Sequence, residues 1–215
     1  MKYSLIVFDW DGTLIDSAAT IVQCIQDAAR DMGLEVPDRE RASHVIGLGL
    51  QDSLRLAVPS LQAERYPDFA AHYRRHFLDR QDSMLLFSGV RELLEENSKR
   101  RLLAIATGKS RKGLERALDA GDLRRYFSAS RCADETNPKP HPAMLLELLE
   151  QLAVGPGGVL MVGDTSHDLD MARAAGVDAL AVTYGAHAEE GLRACNPQAC
   201  LSSVAALGEW LKRNA

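Results

Sequence analysis

Two aspartates, Asp9 and Asp11, directly follow a short apolar run at residues 5–8. The run is rich in strand-forming residues, so we expect a buried strand that ends at these two carboxylates. Residues two apart in a strand point to the same side, and their charges repel unless a cation or a proton compensates them. Gly12 allows the chain to turn sharply just behind them. Because ligands of open α/β sheets bind at the carboxyl ends of the strands, this pattern predicts a functional site.

A second acidic cluster follows another apolar run, at residues 159–162. Asp164 and Asp168 lie where this strand gives way to a helix. Taken alone, they would be read as helix caps, since aspartate is favoured at a helix N-terminus. Together with Asp9 they form a group of hard oxygen ligands suited to Mg²⁺. The two acidic clusters therefore predict a magnesium site.

Two further segments carry groups that bind phosphate. The apolar run at residues 102–106 ends at Thr107 and Gly108, which supply a hydroxyl and backbone amides at the start of a helix, where anions bind. Lys139 lies between two prolines, which stiffen the loop and fix the direction of the side chain. Alone, Lys139 would be an ordinary surface lysine. In combination, the two segments predict a site for a phosphate group.

The elements that carry these residues are indicated by apolar runs of four or five residues, at 5–8, 102–106, 159–162 and 179–182. Runs of this length fit buried parallel strands. Helical patterns lie between them, with Gly121 and Gly176 where helix C-terminal glycines are expected. Strands alternating with helices predict an α/β fold with a doubly wound, Rossmann-like parallel sheet.

Residues 16–85 break this alternation. A helical face that begins at Ile21 ends at Gly33, and further helices are indicated around residues 54–61 and 68–78. No convincing strand is present in this stretch. We therefore predict two domains, an inserted all-helical domain and an α/β core, at residues 16–85 and at residues 1–15 with 86–215.

The order of the four segments resembles the haloacid dehalogenase-like superfamily, in its Mg²⁺-dependent phosphatase branch. The chain carries D-x-D-G-T after the first strand, a threonine after the second, Lys-Pro in a loop, and G-D-x-x-x-D after a later strand. The resemblance covers nearly the whole chain, and its first and last motifs are the specific ones. The helical insertion resembles the family's type-1 cap, and F-D-x-D-G-T-L-x-D-S and K-P-x-P are similar to the phosphoglycolate phosphatase-like members. Gly108 stands where many relatives carry asparagine, which leaves that position only backbone contacts.

This resemblance implies a role for each core residue. Asp9 would be the nucleophile that attacks phosphorus and forms an aspartyl-phosphate. Asp11 would protonate the leaving alcohol and then deprotonate the attacking water. Thr107, Gly108 and Lys139 would bind the phosphoryl oxygens and stabilise the charge of the transition state. The implied substrate is a small phosphorylated metabolite.

Mg²⁺ is the cofactor that the same resemblance implies. Its ligands would be the carboxylates of Asp9 and Asp164 and the backbone carbonyl of Asp11. Asp168 would be either a direct ligand or a support for the others. A phosphate monoester is a dianion that repels an anionic nucleophile, so Mg²⁺ and Lys139 would reduce this repulsion.

The cap sets substrate choice in this family. Gly47 opens a Gly-x-Gly pair that would form a loop meeting the substrate. Arg55, Arg74 and Arg75 are candidates to bind a second anionic group such as a carboxylate, with solvated helix charges as the alternative interpretation. We assign Gly47 and Arg74 to the substrate-binding residues. The two connections between cap and core would act as hinges.

Other activities share this scaffold. A phosphomutase of the β-phosphoglucomutase type keeps the same core residues and stays open as an alternative, as does a non-catalytic binding module. The stretch from Leu14 to Val90 contains no lysine, which argues strongly against a phosphonate hydrolase that forms a Schiff base on a cap lysine. A true dehalogenase does not need the acid at Asp11.

Composition narrows the function classes further. The 215 residues include 25 Lys+Arg and 30 Asp+Glu, a formal charge of -5, which argues against a protein that coats nucleic acid. No apolar run reaches the length of a membrane helix, and no signal peptide is evident, so we expect no membrane partner and a cytoplasmic location. The four cysteines are scattered and predict reduced thiols. The oligomeric state is not predicted.

Overall fold

The computed structural model describes residues 2–80 and 84–215. Its centre is a parallel sheet in the strand order β3-β2-β1-β4-β5-β6. The strands are β1 Leu5–Phe8, β2 Leu102–Thr107, β3 Ala129–Cys132, β4 Val159–Gly163, β5 Asp178–Val182 and β6 Cys200–Leu201. The four strands predicted from apolar runs are β1, β2, β4 and β5, and they form the middle of the sheet with β3 and β6 at its edges. Each edge strand is short or partly polar, which is why neither has an apolar run.

Helices cover both faces of the sheet, so the predicted doubly wound α/β fold is confirmed. Alternate residues of each central strand point to opposite faces. Ile6 and Phe8 belong to an apolar cluster on one face of the sheet. Leu5 and Val7 belong to a second apolar cluster on the other face. The core helices are α5 Val90–Ser98, α6 Arg111–Gly121, α7 Ala143–Leu152, α8 Ser166–Ala174, α9 Glu189–Ala194 and α10 Val204–Asn214.

The stretch between β1 and α5 is helical in the part that the structure describes. Its helices are α1 Ala18–Asp31, α2 Arg39–His44, α3 Leu50–Ala57 and α4 Tyr66–Arg80. They enclose an apolar cluster of their own, which includes Ile21, Ile25, Leu54 and Phe69. Residues 81–83 of the predicted insertion lie outside the described residues. An insertion with its own apolar cluster explains why this stretch departs from the strand–helix alternation of the core.

Two of the predicted helix ends agree with the structure and two differ. Gly33 and Gly176 adopt left-handed backbone conformations with φ of 65° and 68°, as a helix C-terminal glycine does. Gly121 is instead the last residue of α6, and Asp122 takes the left-handed position with φ of 49°. The helix predicted around residues 54–61 ends at Ala57, two residues before a proline that cannot donate to a helical hydrogen bond. The short polar helix α2 has no apolar periodicity and was not predicted.

The two connections between the insertion and the core run side by side. The backbone N–H of Asp16 donates to the carbonyl of Leu85 at 2.8 Å, and that of Phe87 donates to the carbonyl of Leu14 at 3.1 Å. Both chain crossings therefore lie at one point beside β1. Among the described helices, none is long and apolar enough to span a bilayer. All four cysteines are free thiols.

Candidate active site

The carboxyl ends of three neighbouring central strands bring the predicted residues together. β1 lies between β2 and β4, and all three run parallel. Asp9 follows β1, Thr107 ends β2, and Asp164 follows β4. Residues separated by 57 or more positions in the chain thus meet at one sheet edge, where ligands of this fold class bind.

Lys139 is buried between two of the predicted acids. Its Nζ lies 2.5 Å from Asp9 Oδ1 and 2.6 Å from Asp168 Oδ1, and all three side chains are at most 1% exposed. Burial opposes the charge of the ammonium group, but Asp168 and Asp9 together hold the pKa of Lys139 above its ordinary value. The interpretation as a surface lysine is wrong, because this lysine is the cation that allows two carboxylates to be buried side by side.

Asp9 has an unusual electrostatic environment. Burial, with the neighbouring charges of Asp168 and Asp11, raises the pKa of its carboxyl to about 7, although Lys139 counteracts this shift. Asp9 Oδ2 is buried and has no hydrogen-bond partner among the described residues. A buried carboxylate oxygen without a donor is costly, and a cation beside it would remove that cost.

Asp164 is held in place by two donors. The Thr13 hydroxyl donates to its Oδ1 at 2.8 Å, and the backbone N–H of Ala186 donates to its Oδ2 at 2.7 Å. Burial, followed by the charges of Asp9 and Asp168, raises the pKa of this carboxyl well above its ordinary value. A side chain at Gly12 or Gly185 would collide with it, since a Cβ there would lie 2.1 Å or 2.2 Å from Asp164 Oδ2. Gly12 thus does more than turn the chain: it leaves room for this acid.

Asp168 serves two purposes at once. Its Oδ2 accepts hydrogen bonds from the backbone N–H and the hydroxyl of Thr165, at 3.1 Å and 2.7 Å, in a capping box at the start of α8. Its Oδ1 faces Lys139. Helix capping and membership of the acidic site are therefore not alternatives for this residue.

Three of these carboxylates are suited to hold a divalent cation. Asp9, Asp164 and Asp168 each offer an oxygen, and these oxygens lie within 4.8 Å of one another. Hard oxygen ligands in such a group match Mg²⁺. The unpartnered Asp9 Oδ2 and the raised pKa values of Asp9 and Asp164 indicate that one lysine does not balance three buried acids. The residues present fit a divalent cation.

The carboxylate of Asp11 lies apart from this group. Lys109 Nζ contacts both of its oxygens, at 3.0 Å and 2.8 Å, and the Ser17 hydroxyl donates to Oδ1 at 2.8 Å. Ser17 immediately precedes α1, and its side chain contacts Asp11 instead of capping that helix. Sequence reasoning missed both partners of Asp11. The position of Lys109 directly after Thr107-Gly108 was the available signal.

Thr107 and Gly108 lie beneath the helical insertion. Thr107 is buried, and its hydroxyl accepts from the backbone N–H of Lys109 at 3.2 Å. A Cβ at Gly108 would lie 2.6 Å from the carbonyl oxygen of Gly47. Backbone of the insertion occupies the space that a side chain at this position, such as the asparagine of many relatives, would need.

Gly47 and Gly49 belong to the loop between α2 and α3, which packs over the core. Gly47 has a φ of 90°, and a Cβ there would lie 3.4 Å from the Thr165 hydroxyl oxygen. A Cβ at Gly49 would lie 2.8 Å from the Pro138 ring. The glycine loop thus touches three of the four segments that the sequence singled out.

Three histidines join the insertion to the core beside this loop. His167 Nε2 and His187 Nε2 both donate to the carbonyl oxygen of His44, at 2.7 Å and 3.1 Å. The backbone N–H of Ser166 donates to His187 Nδ1 at 3.1 Å. Both ring nitrogens of His187 are therefore engaged, and burial lowers its pKa to about 4. The rings are close enough to hold a metal, but the hydrogen bonds of His167 and His187 to the His44 carbonyl form a junction between the two parts of the chain.

A cavity of about 1070 Å³ extends from Asp9, Asp11 and Thr107 into the insertion. Of the three candidate arginines, Arg74 lines it. Arg55 pairs with Asp52 at 2.9 Å and Arg75 pairs with Asp31 at 2.6 Å, and neither lines the cavity. The cavity connects the acidic site with the interior of the insertion.

The chain is similar to several known proteins. It is 37% identical over 201 residues to "Probable phosphatase IndB" of Dickeya dadantii, covering 90% of this chain and 87% of that protein. It is 33% identical over 184 residues to tyrosine-protein kinase PtkA of Mycobacterium tuberculosis, covering 84% of this chain and 62% of that protein. It is 29% identical over 223 residues to phosphoglycolate phosphatase of Escherichia coli, covering 93% and 88%.

The family model of the haloacid dehalogenase-like hydrolases matches residues 6–182, a span that contains all four core segments. This span also contains the whole helical insertion. The fold, the acids gathered at the sheet edge and this match agree with one another. The chain belongs to the haloacid dehalogenase-like hydrolase family.

Proposed function

We propose that the protein is a Mg²⁺-dependent phosphatase that hydrolyses a phosphate monoester through a phosphorylated Asp9. The observation that carries this proposal is Asp9 itself, a buried carboxylate with one oxygen paired to Lys139 and the other without a partner among the described residues. Similarity to a phosphatase and to a phosphoglycolate phosphatase supports the same class of reaction.

In the first half of the reaction, a carboxylate oxygen of Asp9 attacks phosphorus and the bond from phosphorus to the alcohol oxygen breaks. Asp11, in its protonated form, gives a proton to the departing oxygen. In the second half, a water attacks the phosphoryl group on Asp9, and Asp11 takes the proton from that water. The Asp9 carboxylate and inorganic phosphate are the products, so atoms and charge balance over the two halves.

The remaining residues bind and orient. Thr107, Gly108 and Lys139 would contact the phosphoryl oxygens, where fixed donors stabilise charge that develops in the transition state. Lys109 and Ser17 hold the Asp11 carboxylate in one orientation through their contacts with it. Asp11 is thereby fixed by partners of its own, outside the group of Asp9, Asp164 and Asp168.

Asp9, Asp164 and Asp168 would hold Mg²⁺, together with the backbone carbonyl of Asp11. Bound there, the ion would neutralise charge on the phosphate and on Asp9. The raised pKa values of Asp9 and Asp164 support a cation at this position, because burial and mutual repulsion disfavour their charged forms without one.

We also propose that residues 16–85 act as a cap over a core of residues 1–15 and 86–215. The glycine loop over Gly108 and the paired backbone crossings beside β1 support this division. The crossings would serve as hinges, and closure would exclude water during phosphoryl transfer.

Hydrolysis of p-nitrophenyl phosphate by purified protein tests the proposal. After treatment with EDTA, activity should be lost, and added Mg²⁺ should restore it. The variant Asp9→Asn should be inactive with Mg²⁺ present, whereas Asp170→Asn, a matched change on α8 at an acid paired with Arg173, should keep its activity. Equal activity of Asp9→Asn and the unmodified protein would overturn the proposal. A requirement for a sugar bisphosphate would favour the phosphomutase alternative.

A further inference from the structure

The cavity beside Asp9 is larger than a two-carbon acid phosphate needs. Its volume is about 1070 Å³, and pockets of about 300–1,000 Å³ hold ligands of drug size. It reaches from Asp9 and Thr107 in the core to Phe69 and Leu54 inside the helical insertion. A substrate that occupied only the phosphate end would leave most of this space to water.

The walls of the cavity beyond the acids are mainly apolar. Tyr73 and Phe77 on α4 stack with ring centroids 5.8 Å apart, and both line the cavity. Leu50 and Leu85 also line it, although they are 49% and 68% exposed. Large apolar side chains left open toward a cavity are stabilised when an apolar ligand covers them. The walls therefore match an organic group of low polarity.

Positive charge is found on both the core side and the insertion side of the same cavity. Lys112 and Arg116 on α6 and Arg74 on α4 line it, and none of them pairs with an acid in the described part of the chain. The other two cap arginines that were candidates are paired with aspartates. In a chain with a formal charge of -5, unpaired cations around this opening attract a dianionic ligand toward the acids.

We propose that the substrate is a phosphate monoester with a bulky, mainly apolar organic group, which fills the cavity between α1, α3, α4 and α6. This inference rests on the proposed phosphatase function and names the substrate class of the same site. The phosphate lies at Asp9, and the organic group contacts Tyr73, Phe77 and the aliphatic side chains of the insertion.

Primary alkyl phosphates test the proposal, since ethyl, butyl, hexyl and octyl phosphate all release a primary alcohol and differ only in the length of the apolar chain. The kcat/KM for Mg²⁺-dependent phosphate release should rise roughly two- to fourfold per added methylene until the cavity is filled. It should also be higher for octyl phosphate than for 2-phosphoglycolate. A flat series, or a preference for 2-phosphoglycolate, would overturn the inference while leaving the phosphatase function intact.

A filled cavity provides the second arm of the experiment. Ala70 on α4 lines the cavity, and its neighbour Ala71 is exposed and does not. Ala70→Trp should lower kcat/KM for octyl phosphate about tenfold and leave ethyl phosphate within about twofold, with Ala71→Trp changing neither. Equal effects of Ala70→Trp on both substrates would contradict the inference. If Ala70→Trp does not fold, the alkyl series in the unmodified protein decides alone. Loss of activity toward every phosphate, including p-nitrophenyl phosphate, would instead refute the proposed function and this inference with it.

Discussion

Lys139 links two acids that could not otherwise be buried together. Its ammonium group is fully buried between Asp9 and Asp168. A buried ion pair adds little stability compared with apolar packing, but removing one partner leaves an uncompensated charge. The stability of the core and the chemistry of Asp9 therefore both depend on this lysine.

We expect Lys139→Met to lower the free energy of unfolding by about 3–5 kcal/mol in EDTA, because it leaves two carboxylates without their cation. Added Mg²⁺ should recover part of that loss. Urea denaturation measures both effects. Lys99→Met, which breaks an exposed pair with Glu95, is the matched control and should cost at most about 1 kcal/mol. Similar losses for the two variants would show that Lys139 is not the compensating cation.

Asp11 is the proposed general acid, and the effect of losing such an acid depends on the leaving group. Asp11→Asn should lower kcat/KM for an alkyl phosphate by about 10²–10⁴, because the alkoxide needs a proton as it departs. The loss should be much smaller for p-nitrophenyl phosphate, whose phenolate leaves without one. Lys109→Met should also lower kcat/KM for both substrates, but by less than Asp11→Asn does, since Lys109 acts through Asp11. An equal loss for both substrates would argue against Asp11 as the general acid.

Spacing in the sequence was sufficient to predict that Asp9, Asp164 and Asp168 meet, since parallel strands bring their carboxyl ends to one edge. It was not sufficient for the partners of those acids. Ser17 lies six residues from Asp11 and Lys109 lies 98 residues away, and both contacts depend on how the loops fold back. The burial of Lys139 was likewise not predictable, because a lone lysine between prolines is usually solvated.

At the scale of elements, the loop with Gly47 and Gly49 determines how the insertion meets the core. It leaves no space for a side chain at Gly108. Local strand propensity identified the four central strands but not β3 and β6, whose pairing is set by neighbours rather than by apolar runs. The sequence predicted that this loop meets the substrate, but it did not predict that the loop packs against the core segments.

Gly108→Asn tests this packing. The new side chain would collide with the Gly47 carbonyl, so the loop must shift away from the acids. We expect kcat/KM to fall about 10- to 100-fold, as small misplacements of positioning groups do. Gly191→Ala, on α9 with open space around it, is the control and should leave the kinetics unchanged. Unaltered kinetics in Gly108→Asn would mean that the glycine loop does not have to keep its position over Gly108 for activity.

The histidine junction predicts a dependence of folding stability on pH. The pKa of His187 is lowered to about 4 by burial, below its ordinary value of 6.5. Between these values the unfolded chain binds a proton that the folded chain does not, so stability falls as the pH falls from about 6.5 toward about 4. Above this window the residue contributes no pH dependence.

Urea midpoints in EDTA at about pH 7.5 and about pH 5 measure this effect. His187→Gln should show a smaller drop between the two pH values than the unmodified protein. His141→Gln, at an exposed histidine, should behave like the unmodified protein. The same drop in all three proteins would exclude the junction as its source.

At the scale of the whole molecule, the net charge and the local charge have different consequences. The formal charge of -5 would repel a phosphate, but Lys139 is buried at the acids and Arg74, Lys112 and Arg116 surround the cavity. Composition could exclude a nucleic-acid coat but could not reveal this distribution. The cavity could not be predicted from the sequence either, because helices of both the insertion and the core form its walls.

Identification of the phosphorylated residue tests the central claim most directly. The protein is mixed with p-nitrophenyl phosphate and Mg²⁺, quenched rapidly in acid, and treated with borohydride, which reduces an aspartyl-phosphate and marks its position for peptide sequencing by mass spectrometry. We predict that the mark appears at Asp9, only with substrate and Mg²⁺ present, and not in Asp9→Asn. Turnover with no mark at Asp9, or with a mark at another residue, would contradict the account.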